Sequence, residues 1–143
     1  MTTETDTPRA AHPNIFVGAV QFALNYWARF VVWIQGLYYL VMGLWPVLNI
    51  GSFEEVTGPK TDLWLVKTVG ILIVVCGFVL VLSAYRRRIR LEVAFLGIGI
   101  ALALIIIELV YVTIGTISPI YLLDAVVQAL LIVGWFRRGG PYE

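Results

Sequence analysis

Four long apolar stretches, separated by short polar segments, most constrain how this chain can fold. They cover roughly residues 30–50, 63–85, 91–112 and 120–136. A helix needs about 20 mostly apolar residues to cross the hydrocarbon core of a bilayer, because each residue adds only about 1.5 Å. The sequence therefore predicts an all-α fold, an antiparallel four-helix transmembrane bundle whose last helix is the shortest.

The composition supports a membrane protein and argues against several other classes. Hydrophobic residues make up 60% of the chain and charged residues 13%, whereas soluble domains average roughly 45–50% and about 25%. A single cysteine, Cys76, and a single histidine, His12, argue against thiol redox chemistry, a haem and a metal site. No catalytic motif or phosphate-binding loop is present. We therefore expect no enzyme activity, no cofactor, no metal and no nucleic-acid partner.

The basic residues predict the orientation of the chain in the membrane. One side of the predicted spans carries Arg9, Arg29, Arg86, Arg87, Arg88, Arg90, Arg137 and Arg138, and the other carries Lys60 and Lys67. Because Lys and Arg accumulate in cytoplasmic loops, we expect a multi-pass plasma-membrane protein with both termini in the cytoplasm. Contact with anionic lipid headgroups is a second interpretation of the arginine cluster at 86–90, less favoured than a role in topology.

The N-terminal region has a different pattern. Residues 1–13 are polar and predict a disordered tail, and residues 137–143 form a cytoplasmic tail. Residues 14–29 are apolar except for one helical stripe, which comprises Asn14, Gln21, Asn25 and Arg29. An unbroken helix from 14 to 48 would be about 52 Å long, too long for one crossing. We therefore expect an amphipathic helix on the cytoplasmic surface, a bend near Arg29, and then the first span. A cleaved signal peptide is disfavoured because a full span follows directly.

Three charged residues lie inside the predicted spans at a similar depth. Lys67, Glu108 and Asp124 each fall four or five residues from the predicted outer end of a helix. Lys67 and Glu108 share helix faces with small residues, and Asp124 shares one with other polar residues. We therefore expect all three to point into the bundle and towards one another. The same cluster is expected to include the neighbouring polar residues Tyr111, Tyr121 and Gln128.

Two interpretations of this cluster stay open. In the first, it is a structural clamp in which Lys67 neutralises one carboxylate while the other is protonated or hydrogen-bonded to Tyr or Gln. In the second, it forms an outward-facing pocket that binds a ligand or transfers a proton. Two acids against one base leave an unbalanced charge, which favours a proton-responsive group. The clamp is slightly favoured.

Two polar features lie outside this cluster. Gln35, with Tyr38 and Tyr39 close by in the first span, is expected to serve packing, or else to hydrogen-bond across the bundle. In the first outer loop, Ser52 followed by Glu55 matches a capping box and predicts one short helical turn.

Several strings resemble an uncharacterised family of small bacterial four-span integral membrane proteins. The similarity covers about residues 34–136 and lies in QGLYY at 35–39, GLWP at 43–46, SFEEVTGPKTDLWLVKTVG at 52–70 and ISPIYLLDA at 117–125. The resemblance implies a bacterial inner membrane and draws attention to the outer face, but it implies no activity. In span count alone the chain is also similar to DoxX-like and EXPERA bundles, and a shared fold does not determine function.

These observations give three functional hypotheses, in order of preference. The first is a non-enzymatic accessory or interaction subunit of a larger membrane complex, attached through residues 14–29. The second is small-molecule binding or proton-linked transport through an outward-facing polar pocket, where transport would require a homodimer. The third is an isomerase-like enzyme with Glu108 or Asp124 as acid–base groups. In each case the lipid bilayer is the immediate environment.

Overall fold

The computed structural model describes residues 15–87 and 89–137, with side-chain surroundings from residue 26 onward. Within these residues the fold is entirely helical. The helices are α1 (Ile15–Leu48), α2 (Ile50–Thr57), α3 (Leu63–Tyr85), α4 (Leu91–Thr113) and α5 (Tyr121–Phe136). The predicted all-α class is therefore confirmed for the described part of the chain.

Three of these helices are long and apolar enough to cross a membrane: the segment Tyr26–Leu48 of α1, together with α3 and α4. The helix α5 is also apolar but has 16 residues, which corresponds to about 24 Å. The chain is therefore a membrane protein by the length and composition of its helices.

Two local predictions differ from the structure. The helix α1 continues through Arg29, because no glycine or proline lies between residues 19 and 35 to end or bend it. The helix α2 begins at Ile50, and its cap is the Asn49 side chain, which accepts a hydrogen bond from the Ser52 backbone N–H at 3.1 Å. The predicted capping box at Ser52 is therefore wrong: the residue that caps the helix is Asn49, three residues earlier in the chain.

Some predictions concern residues outside the described part of the chain. They are the polar tail 1–13, Asn14, Arg88, residues 138–143, and the side chains of Gln21 and Asn25. The amphipathic helix at 14–29 therefore stays a prediction.

The helices α1 and α3 pack together through glycines. A Cβ atom on Gly43 would lie 2.6 Å from the Gly70 carbonyl oxygen, and one on Gly36 would lie 3.0 Å from the Gly77 carbonyl oxygen. The earlier glycine of α1 faces the later glycine of α3, and the later glycine of α1 faces the earlier one of α3. The two helices are therefore antiparallel. Close backbone contact of this kind is how helices associate in lipid, which supplies no hydrophobic force between them.

The buried core lies at the end of the bundle where α3 leads into α4. It is made of side chains from four helices, namely Val31, Val32, Tyr39, Leu80, Ala84, Ala94 and Trp135. The opposite end, near α2, is less tightly filled and contains the cavity described below.

The glycine contacts lead to a stability prediction. Gly43→Ala and Gly70→Ala each place a methyl group against opposing backbone, which cannot move without separating α1 from α3. We expect each to lower the free energy of unfolding in detergent by about 1–3 kcal/mol.

Gly99→Ala is the matched control, because a Cβ there meets no atom within 4 Å. It should leave the stability unchanged or raise it slightly, since alanine favours helix over glycine. Equal stability of Gly43→Ala, Gly70→Ala and Gly99→Ala would contradict the packing described above.

Candidate functional site: an acidic cavity between the helices

A partly open cavity of about 470 Å³ lies between the helices, at the end of the bundle near α2. Most of its wall is apolar, for example Met42, Ile73, Leu104 and Ile107. The polar side chains in the wall are Tyr38, Tyr39, Lys60, Glu108, Tyr121, Asp124 and Gln128. Its size and its few convergent polar groups are typical of small-molecule sites in proteins.

Two carboxyl groups from neighbouring helices meet in this cavity. Asp124, in the first turn of α5, accepts hydrogen bonds from the Tyr38 hydroxyl and, at 3.3 Å, from Gln128 Nε2. Glu108, on the buried face of α4 that also carries Gly97 and Ala101, interacts with Asp124. The wall therefore holds two acids side by side.

Glu108 is the less well satisfied of the two acids. It is only 4% exposed, and its Oε2 atom has no hydrogen-bond partner among the described residues. A buried polar atom without a partner is rare in folded proteins and calls for an explanation, such as a ligand or an ordered water.

A chain of hydrogen bonds connects Asp124 to the tightly packed core. Trp135 Nε1 donates to Gln35 Oε1 at 2.7 Å, and Gln35 Nε2 donates to the Tyr39 hydroxyl at 3.0 Å. The Tyr39 hydroxyl donates to Gln128 Oε1 at 3.0 Å, and Gln128 Nε2 reaches Asp124. This network, which we call the glutamine–tyrosine chain, joins α1 to α5.

The direction of the glutamine–tyrosine chain follows from the groups at its ends. The Trp135 indole can only donate, and the Gly97 carbonyl, which Gln35 Nε2 contacts at 2.8 Å, can only accept. Together they fix which end of the Gln35 amide faces Tyr39. Tyr39 must then donate to Gln128, which leaves the Gln128 N–H group to face Asp124. Every donor in the chain therefore points towards the carboxyl group.

Lys60 lies at the α2 end of the cavity but is engaged elsewhere. Its Nζ donates to the backbone oxygens of Thr57 at 2.9 Å and Gly58 at 3.1 Å. It also lies 5.3 Å from the centre of the Tyr121 ring, within the range of a cation–π contact. The backbone N–H of Lys60 donates to Glu54 Oε1 at 2.8 Å. These contacts hold the loop between α2 and α3 against the start of α5.

The structure brings together four of the six residues predicted for the polar cluster. Glu108, Asp124, Gln128 and Tyr121 line one cavity. Lys67 and Tyr111 are not among its lining residues: Lys67 is half-buried on α3, and Tyr111 is 44% exposed. The clamp interpretation requires Lys67 beside one carboxylate, and Lys67 is not in the wall that holds the two acids. Its other element, a carboxylate hydrogen-bonded to Tyr or Gln, matches Asp124 with Tyr38 and Gln128.

Three residues of the cavity wall were not predicted as members of the polar cluster, namely Tyr38, Tyr39 and Lys60. A signal was present in the spacing of Gln35 and Tyr39, four residues apart on one helix face. The alternative that Gln35 hydrogen-bonds across the bundle is confirmed by its contacts with Gly97 and Trp135.

The remaining predicted residues lie away from the cavity wall. Arg86, Arg87 and Arg90 are exposed around the turn between α3 and α4, and Arg87 adopts a positive φ of 55° there. Arg29 is half-buried, and its Nε atom has no hydrogen-bond partner among the described residues. Residues 15–87 and 89–137 contain no group of three or more His, Cys, Asp or Glu side chains placed to hold a metal ion.

Comparison with known proteins gives no match to a family model, to a curated protein or to a solved structure. The resemblance based on sequence strings therefore stays an expectation.

The glutamine–tyrosine chain leads to a second stability prediction. Tyr39→Phe removes one hydroxyl, so that the buried Gln128 Oε1 loses its donor and one N–H of the buried Gln35 amide loses its acceptor, while Gln35 keeps its bonds to Gly97 and Trp135. We expect it to lower the free energy of unfolding by about 1–3 kcal/mol, the cost of leaving buried polar groups unsatisfied.

Tyr85→Phe is the matched control, because Tyr85 is 73% exposed. Denaturant titration of both variants in mixed micelles measures the difference. If the two variants were equally stable, the chain would contribute nothing to the fold.

Proposed function

We propose that this protein is a small integral membrane protein that binds a small molecule in the cavity between its helices. The observation that carries the proposal is Glu108, a buried acid with an unpartnered oxygen in the wall of a cavity of about 470 Å³. Keeping such a group destabilises a fold, and groups of this kind are common at binding sites. The second of the three hypotheses drawn from the sequence is therefore the one that the geometry favours.

The membrane arrangement that we propose is an antiparallel four-helix transmembrane bundle. Support comes from the antiparallel packing of α1 on α3 and from the contacts of α5 with α1. Asp124, near the start of α5, contacts Tyr38, whereas Gly134, near its end, contacts the earlier residue Trp27. The helix α5 is short for a span, and a modest mismatch can be accommodated by local thinning of the bilayer.

The proposed orientation has both termini in the cytoplasm of a bacterial inner membrane, because basic residues concentrate on that side. In this orientation the cavity, together with α2 and Lys60, faces outward. A ligand would then enter from the outer side of the membrane or laterally from its outer leaflet.

The alternative function is that of an accessory subunit in a larger membrane complex. The helix α1 begins at Ile15 and has 34 residues, which corresponds to about 51 Å, longer than one crossing of the bilayer requires. Such an extension offers a surface for a partner, and the binding experiment below separates the two functions.

A cavity-filling variant tests the proposal. Leu104 lines the cavity, whereas Leu102 on the same helix is outside its wall and 50% exposed. We expect Leu104→Trp to occupy the cavity and abolish binding, and Leu102→Trp to bind as the parent protein does. The probes are 4-phenylbutylamine, 4-phenylbutanol and 4-phenylbutyrate, and calorimetry in a maltoside detergent measures their affinities.

At least one of these probes should bind the parent protein and Leu102→Trp but not Leu104→Trp. Absence of binding by all three, or equal binding to both tryptophan variants, would contradict the proposed function and favour the accessory-subunit alternative.

A further inference from the structure

We propose that the ligand of this cavity is an apolar molecule that carries one cationic amino group, and that Glu108 and Asp124 receive this group. The inference rests on the proposed function and specifies its ligand class. Its basis is the balance of hydrogen-bond donors and acceptors in the cavity wall.

Most donors of the wall are already engaged within the protein; the exception is the Tyr121 hydroxyl, a single neutral donor that cannot balance the charge of an anion. The Tyr38 hydroxyl donates to Asp124, and the Tyr39 hydroxyl donates to Gln128. Lys60 directs its ammonium group to two backbone oxygens and to the ring of Tyr121. An anionic ligand would have to displace these contacts, so the wall is poorly suited to a carboxylate or a phosphate.

The acceptors of the wall are in excess. Glu108 Oε2 has no partner among the described residues. The Tyr38 and Gln128 side chains both donate to a single oxygen of Asp124, Oδ1, and Asp124 also hydrogen-bonds Glu108. A ligand that complements this wall must therefore donate hydrogen bonds. An ammonium group supplies up to three donors and one positive charge, which matches two adjacent acids.

A positive charge on the ligand would reduce the repulsion between the two acids. Two carboxyl groups that face each other away from water cannot both ionise without strong repulsion. A bound cation lowers this repulsion and forms charge-assisted hydrogen bonds, which are stronger than those of a neutral hydroxyl group.

The rest of the cavity fits an apolar body. Aromatic rings of Tyr38, Tyr39 and Phe53 and aliphatic side chains such as Ile73 and Leu104 line the space beyond the acids. Aromatic faces also attract a cation that passes them. The ligand that we infer is therefore amphiphilic, with its amine at the acids and its apolar part along α3 and α4.

The three phenylbutyl probes separate the chemistry of the head group from that of the apolar part. At neutral pH the amine is cationic, the alcohol neutral and the acid anionic, on the same apolar frame. We expect the amine to bind the parent protein at least about tenfold more tightly than the alcohol, because a hydrogen bond to a charged group is worth more than a neutral one. The carboxylate should bind most weakly.

Glu108→Gln tests the site of this preference. The substitution keeps the size of the side chain and removes its charge, so the amine should lose most of its advantage while the alcohol binds as before. Glu92→Gln is the matched control, since Glu92 is exposed in the first turn of α4 at the other end of the helix. It should retain the full preference for the amine.

The other possible results distinguish a failure of the amine inference from a failure of the proposed function. Equal binding of amine and alcohol, or tighter binding of the carboxylate, would refute the amine inference and leave the proposed function standing. A preference for the amine that survives in Glu108→Gln would refute the assignment to these acids. If no probe binds, the proposed function fails together with the inference.

Discussion

The hydrogen bond from the Trp135 indole to Gln35 is the interaction on which the polar interior of this protein depends. Because an indole can only donate, this bond fixes the orientation of the Gln35 amide, and through Tyr39 it fixes that of Gln128. The result is a row of donors that all point towards Asp124. The same bonds connect α1 to α5, so the fold and the arrangement of the acids have a common origin.

The bundle is divided into a tight half and an open half. Towards the turn between α3 and α4, small residues allow close contact; Gly97, for example, leaves room for the side chains of Gln35 and Trp135. Towards α2, the contact of Gly43 with Gly70 still holds α1 against α3, but the side chains around it surround a cavity that they do not fill. A protein that needed only stability would gain from filling this space with apolar side chains. The open half is therefore where function is expected.

Part of this arrangement was predictable from the sequence. The apolar runs predicted the α3 limits at residues 63 and 85. Helical spacing placed Glu108 on the face of α4 that carries small residues, and it placed Asp124 on one face with Tyr121 and Gln128. Depth and spacing alone do not determine which neighbour a side chain meets, so Lys67 was expected at the acids, where Tyr38 is found. Lys60 was beyond prediction, since its position depends on how the loop after α2 folds back onto α5. The bend expected at Arg29 was inferred from bilayer thickness, whereas local helix propensity continues α1 through that residue.

The ligand proposed for the cavity is an amine whose charge lies at Glu108 and Asp124. The most direct test is a crystal structure of the detergent-purified protein soaked with 4-(4-bromophenyl)butylamine, in which the anomalous signal of bromine locates the ligand. We expect a bromine peak among the apolar side chains of α3 and α4, with the amine in contact with Glu108. A peak only on the outer, lipid-facing surface of the helices, or an amine directed away from both acids, would contradict this proposal.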